Sequence, residues 1–375
     1  MRLGARLATL SIGCLVADGC ALIAGITDVV RVDGGGGASS SSTGGASSSS
    51  TGGASSSSTG GGACPGHGGV AGCDGGTCQL LAQPGSLPQG IALLEGSIYV
   101  SLTGSNAVIG RGPTGLSFSV AKATHSPQEV AADQDGVFWG NYSESCLKRA
   151  PLDGGATTRL GSCITGMNLA ASKIALDATR AYWIAGADLP TGDVVAIDKN
   201  ASPDAGITVV AAAQQRALAV AVDEDFVYWG TATQSPPVAG SILRRGRALT
   251  AKAEHFADAP GLPTAIVVRD GYVYWIAMKG DAVYRKLATG GSAAVEQIAP
   301  GPSYYYSTLS LAVDDAHVYW TDPGGGRVLR AAKVPGAAAD TLAHDPIDAP
   351  GDVAVDCAAV YWTTPTTGTV TRLSK

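Results

Sequence analysis

The sequence contains few charged and few aromatic residues. Only 15% of its 375 residues are charged and 6% are aromatic, and its 25 Lys and Arg are outnumbered by 31 Asp and Glu. Nucleic-acid-binding proteins use clustered basic residues to neutralise phosphates, so this composition excludes a nucleic-acid partner. The 45% hydrophobic content excludes full-length disorder. No hydrophobic run reaches the roughly 20 residues that a membrane-spanning helix needs.

Common catalytic motifs are also missing. The sequence contains no G-x-S-x-G, H-E-x-x-H or C-x-x-C motif and only 5 His,. The segment from Gly110 to Gly115 matches G-x-G-x-x-G, but no helical pattern follows it, so we interpret it as a hairpin turn. We therefore expect no metal and no cofactor. The sequence favours a non-enzymatic protein but leaves catalysis open.

The first residues have the pattern of an export signal. Arg2 and Arg6 precede an uncharged, mostly apolar run over residues 7–17, which is too short to cross a membrane,. The Cys20 that follows Gly19 resembles the end of a bacterial lipoprotein signal, whose cysteine is lipidated and becomes the new N-terminus. An ordinary secretory signal is the alternative, and the competing lipidation candidate is Cys14.

The resemblance to lipoprotein signals implies removal of residues 1–19 and a lipid anchor on Cys20. Ala21 rather than Asp follows the cysteine, and by analogy with that class this favours the outer membrane or the cell surface. The predicted location is therefore exported and lipid-anchored, in the periplasm or outside the cell. Export in turn favours disulfide bonds between the remaining cysteines.

A linker and a cysteine-rich segment follow the signal. Within residues 20–63, the stretch 34–62 contains only Gly, Ser, Ala and Thr, with the octamer GGASSSST three times in succession. No side chain there can offset the entropy lost on ordering, which predicts a disordered tether. In the segment 64–78 the spacing fits no common zinc site, so we expect disulfides rather than a metal on its candidate ligands, Cys64, His67, Cys73 and Cys78.

From residue 79 onward, one pair of strands occurs seven times. Each copy has an aliphatic strand such as Val-Ala-Val, a turn around Asp and a second strand such as Val-Tyr-Trp, and successive copies begin 39 to 46 residues apart. All 6 Trp fall at the same position of this unit. The copies are Ile91–Val100, Val130–Trp139, Ile174–Trp183, Val220–Trp229, Ile266–Trp275, Leu311–Trp320 and Val353–Trp362.

This period predicts an all-β fold, a seven-bladed β-propeller of four-stranded blades over residues 79–375. Six of the seven inner strands carry a central Ala between larger aliphatic residues, so the two faces of a blade differ and each Trp is predicted to lie between blades. The last copy is followed by one further strand pattern, residues 368–373. Residues 79–84, before the first copy, supply the missing strand, so the N-terminal strand is predicted to close the seventh blade.

Two cysteines inside the propeller are the best disulfide candidates. A two-residue turn at Gly154 and Gly155 would place Cys146 and Cys163 opposite each other as a non-hydrogen-bonded pair, whose Cα separation suits a disulfide. A bond from Cys357 to the N-terminal cysteines would lock the closing seam, with the candidate partners Cys64, Cys73 and Cys78.

The Tyr-Trp-Thr-Asp of residues 319–322 and the weaker Tyr-Trp copies resemble the YWTD repeat of lipoprotein-receptor propellers. They are also similar to the NHL and virginiamycin B lyase-like propellers of bacterial secreted proteins. The resemblance covers residues 79–375 and implies a fold rather than an activity, and seven units depart from the six blades usual for the receptor class. A lyase of this kind would need a His, an acidic residue and a divalent metal at the channel mouth.

Five copies carry Asp six residues before the aromatic position, which raises the hypothesis of a metal site. We interpret these residues as turn residues instead, because an Asp side chain accepts hydrogen bonds from the amides of a tight turn. The five are Asp133, Asp177, Asp223, Asp314 and Asp356.

Candidate binding residues lie on the face formed by the blade-to-blade loops and the loops between second and third strands. Three adjacent tyrosines are predicted to lie in the loop that leads into the sixth blade, where they could stack on a sugar ring or contact a protein. We predict a monomeric binding or scaffold module at the cell envelope, with a carbohydrate or protein ligand. The alternatives are a metal-dependent lyase or lactonase using the central channel and a purely structural surface protein. The candidate residues are Tyr304, Tyr305, Tyr306, and His125 and His344 at the ends of fourth strands.

Overall fold

The computed structural model describes residues 76–375, except for 123, 143, 164–172, 188, 234–238, 279–281, 302–309 and 346. The described residues form 28 strands and one short 3-10 turn, and the strands make seven four-stranded antiparallel sheets. Each sheet is one blade, and in blades 1 to 6 the four strands pair in chain order from the inner to the outer strand. The predicted all-β, seven-bladed propeller is confirmed.

The strand bounds follow the sequence repeat. Blade 1 contains β2 (Pro88–Leu94), β3 (Ser97–Leu102), β4 (Ala107–Arg111) and β5 (Ser117–Lys122), and blade 2 contains β6 (Pro127–Asp133), β7 (Gly136–Asn141), β8 (Glu144–Ala150) and β9 (Thr158–Leu160). Blade 3 contains β10 (Ala175–Leu176), β11 (Arg180–Ala185), β12 (Thr191–Asp198) and β13 (Thr208–Gln215), and blade 4 contains β14 (Val220–Val222), β15 (Phe226–Ala232), β16 (Ala239–Gly246) and β17 (Glu254–Pro260). Blade 5 contains β18 (Leu262–Arg269), β19 (Tyr272–Met278), β20 (Ala282–Leu287) and β21 (Glu296–Pro300), and blade 6 contains β22 (Leu311–Val313), β23 (His317–Asp322), β24 (Arg327–Ala332) and β25 (Asp340–His344).

Blade 7 is completed by the N-terminal strand, as predicted. Its first three strands are β26 (Val353–Val355), β27 (Ala359–Thr364) and β28 (Thr369–Ser374), and its fourth is β1 (Thr77–Ala82). β1 pairs antiparallel with β28. Blades 1 and 7 share one hydrophobic cluster, so the first and the last blade meet and close the ring.

Each Trp packs against the preceding blade, which confirms the predicted position between blades. Trp275 of blade 5, for example, lies in one cluster with Ala221 and Tyr228 of blade 4. The small Ala leaves room for the indole, which explains why the inner strands carry it. The same arrangement recurs as Trp139 with Ala92 and Tyr99, Trp183 with Ala131 and Phe138, Trp229 with Ala175 and Tyr182, Trp320 with Val267 and Tyr274, and Trp362 with Ala312 and Tyr319.

The repeated Asp residues cap turns, as predicted. In blade 4, Asp223 Oδ1 accepts from the amides of Asp225 (2.9 Å) and Phe226 (2.7 Å). A second contact was not foreseen, because Asp223 Oδ2 accepts from the Tyr228 hydroxyl at 2.8 Å. The tyrosine of the Tyr-Trp motif therefore binds the Asp of its own turn, and the same bond joins Tyr182 to Asp177, Tyr319 to Asp314 and Tyr361 to Asp356.

Ion pairs connect successive blades on the same side as these turns. The residue that follows the third strand of several blades is basic and reaches an Asp of the preceding blade. In blade 3, for example, Lys199 Nζ lies 2.6 Å from Asp133 Oδ2. The equivalent pairs are Arg247 with Asp177, Lys333 with Asp270 and Lys375 with Asp314.

The Cys146–Cys163 disulfide is present, with a Cα separation of 4.5 Å, but the predicted strand register was wrong. Leu147 lies opposite Leu160, so Cys163 falls beyond the end of β9 and is not a ladder partner of Cys146. The connection is wider than two residues because the chain turns at Pro151, whose carbonyl accepts from the Gly154 amide. Cys78 and Cys357 are disulfide-bonded as well, and their pairing stays a prediction. Cys64 and Cys73 lie outside the described residues.

Candidate functional site

The residues that directly precede the seven copies of the repeat meet at one end of the central channel. Inner strands line the axis of a propeller and begin on the face where the blade-to-blade connections lie. Four of the residues at this position are polar, and we call them the channel cluster: Glu129 of blade 2, Lys173 of blade 3, Ser310 of blade 6 and Asp352 of blade 7.

Asp352 is the centre of the channel cluster. Its Oδ1 accepts from Lys173 Nζ and from the Ser310 hydroxyl, and its Oδ2 accepts from the Ile91 amide at 2.9 Å. Blades 3 and 7 are not neighbours in the ring, so the contact between Lys173 and Asp352 crosses the channel. One carboxylate therefore ties blades 1, 3, 6 and 7 together.

Hydroxyl groups of the second strands hold the same end of the ring. The Thr363 hydroxyl accepts from the Asp352 amide at 2.8 Å and donates to the Gln89 carbonyl of blade 1 at 3.0 Å. Ser101 accepts from the Gly90 amide at 2.9 Å and donates to a carbonyl of blade 2. These bonds fix the backbone on either side of the channel cluster.

Glu129 is the least satisfied member of the channel cluster. Its Oε2 lies 3.2 Å from Lys173 Nζ, and 15% of its side chain is exposed. Burial raises the pKa of Glu129 to about 7, although the Lys173 charge opposes this shift and the Asp352 charge adds to it. Burial would lower the pKa of Lys173, but the two carboxylates outweigh burial and raise it. Glu129 can therefore gain or lose a proton near neutral pH, while Lys173 stays charged.

The charge distribution determines what the channel cluster can bind. Divalent cations need several free oxygen ligands, whereas both Asp352 oxygens already accept hydrogen bonds. Among the described residues no group of three or more His, Cys, Asp and Glu is placed to hold a metal. The Glu129 side chain is partly exposed beside the Lys173 ammonium, so it is able to contact a ligand.

Exposed apolar side chains surround this end of the channel on blades 7, 1, 2 and 3. We call them the rim residues: Leu87, Tyr142, Leu189 and Ile347, which are 39%, 46%, 38% and 90% exposed. They occupy blade-to-blade connections or loops between second and third strands, on the face where the inner strands begin. The loops entering blades 1 and 2 also contain non-glycine residues with left-handed backbones, a costly conformation that is common at binding sites: Leu87 (φ 48°), His125 (φ 55°) and Ser126 (φ 56°).

The structure separates the residues that the sequence singled out. His125 is exposed in the connection from blade 1 to blade 2, and His344 is exposed at the end of β25 in blade 6, so both lie on the face of the rim residues but on different blades. Tyr304, Tyr305, Tyr306 and Cys20 lie outside the described residues. No helix of the described chain is long and apolar enough to cross a membrane.

Sequence reasoning missed the channel cluster and the rim residues. A signal was present, since Glu129, Lys173, Ser310 and Asp352 occupy the same position of the repeat. The position varies between Gly, Ala, Ser and charged residues, so it does not stand out as part of a motif. Only the ring brings its seven occupants together.

Solved structures with the same architecture are found among propeller enzymes. A streptogramin B lyase matches with a TM-score of 0.63 and 14% identity over 80% of this chain and 97% of that one. Virginiamycin B lyase from Staphylococcus aureus matches with a TM-score of 0.64 and 12% identity over 80% of this chain and 98% of that one. This chain shares the β-propeller fold of these two lyases. At these identities the likeness shows the fold alone.

A third match is a catalytically inactive histidine-to-alanine variant of the Staphylococcus aureus lyase with quinupristin, at a TM-score of 0.63 and 12% identity over 80% of this chain and 99% of that one. No protein-family model and no curated protein sequence matches this chain. The likeness to these lyases is therefore one of fold alone.

Proposed function

We propose that this protein is a binding module of the cell envelope whose ligand rests on the rim residues over the channel cluster. The observation that carries the proposal is that both groups lie at the same end of the ring, the rim residues on blades 7, 1, 2 and 3 and the channel cluster on blades 2, 3, 6 and 7. Exposed apolar side chains grouped around a polar centre are typical of recognition sites. Asp352 is hydrogen-bonded as in a structural junction, so the exposed rim is the part of this end that is free to contact a ligand.

The chemistry of this face suits a carbohydrate or protein ligand. Tyr142 offers an aromatic surface, and Leu87 and Ile347 offer aliphatic ones. Glu129 accepts hydrogen bonds from hydroxyl or amide groups when ionised and donates one when protonated. The ligand we propose therefore combines an apolar surface with hydrogen-bonding groups.

Substitution of rim residues tests this proposal. The Tyr142→Ala/Ile347→Ala variant and the wild-type protein are compared on one glycan array and one peptide array. The matched control, Leu116→Ala/Val334→Ala, removes apolar groups that are 74% and 55% exposed in third-to-fourth-strand hairpins on the opposite face. We expect array signals that the control keeps and the rim variant loses. Equal loss in both variants, or no specific signal from wild type, would contradict the proposal.

We also propose that the protein is exported as a monomer and anchored through a lipid on Cys20, at the outer membrane or cell surface. The support is the order of the sequence features: a basic and apolar signal, Gly19 before Cys20, and a Gly/Ser-rich tether. Labelling cells with a palmitate analogue should mark wild type and Cys14→Ala but not Cys20→Ala. Labelling that depends on Cys14 instead would contradict this assignment.

A lyase is the second candidate function, and one observation favours it. Glu129 has a pKa of about 7, which suits a general base near neutral pH, and it lies at the channel end of a lyase-like fold. Incubation with quinupristin and Mg²⁺, followed by mass spectrometry, tests this function. Conversion by wild type and its loss in Glu129→Gln would support the lyase, whereas an unchanged substrate would reject it for this compound.

A further inference from the structure

A second surface, separate from the rim residues, lies between the outer halves of blades 4 and 5. This groove encloses about 510 Å³, within the range of small-ligand sites. Arg244 and Phe256 line its blade 4 side, and Lys286 and Gly290 line its blade 5 side. It opens on the side of the ring opposite the channel cluster.

Lys286 is the unusual residue of this groove. Its side chain is only 8% exposed, and its Nζ donates to the Phe256 carbonyl at 2.7 Å and lies 5.1 Å from the centre of the Phe256 ring. An ammonium group has three donors, and in the described part of the chain Lys286 forms an ion pair with no carboxylate. A buried charge without a counter-ion is costly.

A second lysine of the propeller provides an internal comparison. Lys199 lines a groove of about 340 Å³ between blades 2 and 3 and is 3% exposed, but its Nζ contacts Asp133 at 2.6 Å and Asp135 at 2.5 Å. Blade 5 has Ala288 where blade 3 has Lys199. The lysine of blade 5 comes two residues earlier, at Lys286. Its side chain lines the groove instead of bonding to a turn Asp.

The other charges that face the groove are already compensated. Arg244 Nε lies 2.7 Å from Glu254, and its guanidinium covers the Phe226 and Phe256 rings at 4.1 and 5.2 Å. His255 Nε2 lies 2.9 Å from Asp258 Oδ1. The uncompensated charge of the groove is therefore the Lys286 ammonium.

We propose that this groove binds a hydroxylated carboxylate of the uronic-acid type, with its carboxylate on Lys286. The carboxylate supplies the missing counter-ion. The groups around Arg244, Glu254 and His255 offer both donors and acceptors for sugar hydroxyls. The cations cover the face of Phe256, so recognition rests on charge and hydrogen bonds rather than on ring stacking.

Isothermal titration of the propeller tests this site with sodium D-glucuronate, D-glucose, inorganic phosphate and polygalacturonate. We expect glucuronate to bind, glucose to bind at least tenfold more weakly, and phosphate to bind more weakly than glucuronate. Tighter binding of polygalacturonate than of glucuronate would identify a polysaccharide as the source of the carboxylate, and equal binding per residue would identify a free sugar acid. Equal affinity for glucose and glucuronate, or for phosphate and glucuronate, would overturn the proposal.

Variants of the groove separate binding from folding. Lys286→Met should abolish glucuronate binding, whereas Lys122→Met, at an exposed lysine of blade 1, should not. Val295→Glu places a carboxylate at a 39% exposed position of the groove and should also abolish binding, while Val295→Thr should retain it. These expectations are independent of the rim residues, so Tyr142→Ala/Ile347→Ala should bind glucuronate normally. Unchanged glucuronate binding in folded Val295→Glu and Lys286→Met would overturn the assignment.

Discussion

Glu129 shows how one buried carboxyl group couples stability to pH. Its pKa of about 7 lies above the ordinary value of 4.5, because burial disfavours the charged form more than Lys173 favours it. Between these two values the folded state holds a proton that the unfolded state has released. The free energy of unfolding contributed by this group therefore falls as the pH rises through that window and is constant outside it.

Glu129→Gln should remove this pH dependence. Gln keeps the shape of the protonated carboxyl, so the variant and wild type should have similar stability near pH 4.5. The wild type should then lose up to about 1.4 kcal/mol per pH unit relative to the variant as the pH rises towards 7. Urea unfolding across this range measures the difference. Glu224→Gln, at an exposed turn residue, is the control, and parallel curves for all three proteins would contradict the assignment.

Tyr228→Phe tests the bond between the Tyr-Trp motif and the turn Asp. The Tyr228 hydroxyl is buried and donates to Asp223 Oδ2 at 2.8 Å, so its loss leaves a carboxylate oxygen without that donor. We expect a loss of roughly 1.5–3 kcal/mol in the free energy of unfolding, measured in urea. Tyr272→Phe, on a half-buried ring of blade 5, should change it by less than about 0.5 kcal/mol. Equal effects would refute a specific role for the bond.

The blade is the repeated structural unit of this protein, and the interfaces between blades repeat one packing arrangement. The Trp of one blade fills the space over the Ala of the preceding blade, and the Tyr beside that Ala donates a hydrogen bond to the Asp that caps the turn of its own blade. In this way the three conserved positions of the internal repeat serve three different contacts. Blade 1 lacks the indole and carries Val100 at this position, in its cluster with blade 7.

Ala221→Leu should disrupt one such interface. Ala221 is fully buried and shares a cluster with Trp275, so a larger side chain would force the indole or the strand to move. We expect a loss of about 1–3 kcal/mol in the free energy of unfolding, measured by chemical denaturation. Ala212→Leu, on the exposed outer strand of blade 3, is the control and should have little effect. A similar loss in both variants would argue against interblade crowding as the cause.

The whole ring depends on the pairing of its first and last strands. β1 pairs with β28 on the outside of blade 7, and Leu80 packs into the cluster that blades 1 and 7 share. Asp352 joins the same seam to blades 3 and 6 from the channel. The seam is therefore held at its outer edge by strand pairing and at its inner edge by charge.

Removal of β1 should destabilise the whole propeller. A chain that begins at residue 84 lacks this strand and exposes the edge of β28, whereas a chain that begins at residue 76 retains it. With reductant present to exclude effects of the Cys78 disulfide, calorimetry should show a lower and broader melting transition for the shorter chain. Size-exclusion chromatography should also show association through the open edge. Matching melting curves would indicate that β1 does not contribute to closure.

Most of the fold could be predicted from the sequence, but little of the candidate site could. The repeated position of the aromatic residues located the strands, and the extra strand pattern before the first copy identified β1. Both are local sequence patterns. The predicted register of the hairpin around Gly154 was wrong because the chain turns at Pro151. Counting residues from an assumed two-residue turn does not show such a change. Glu129 and Lys173 could not be paired with Asp352 because 179 residues separate Lys173 from Asp352.

The sequence by itself determined the seven blades, the closing strand, the turn role of the repeated Asp residues and the cysteine pair in blade 2. Each of these features depends on the alternation and spacing of residues that are close together in the sequence. The tertiary structure alone decided which side chains meet across the channel and that Lys286, a buried lysine of the described residues, forms no ion pair with a carboxylate there. Closing the ring brings equivalent positions of distant repeats together. Only in the closed ring do Glu129, Lys173 and Asp352 contact one another, and only there does Lys199 bind carboxylates while Lys286 binds a carbonyl.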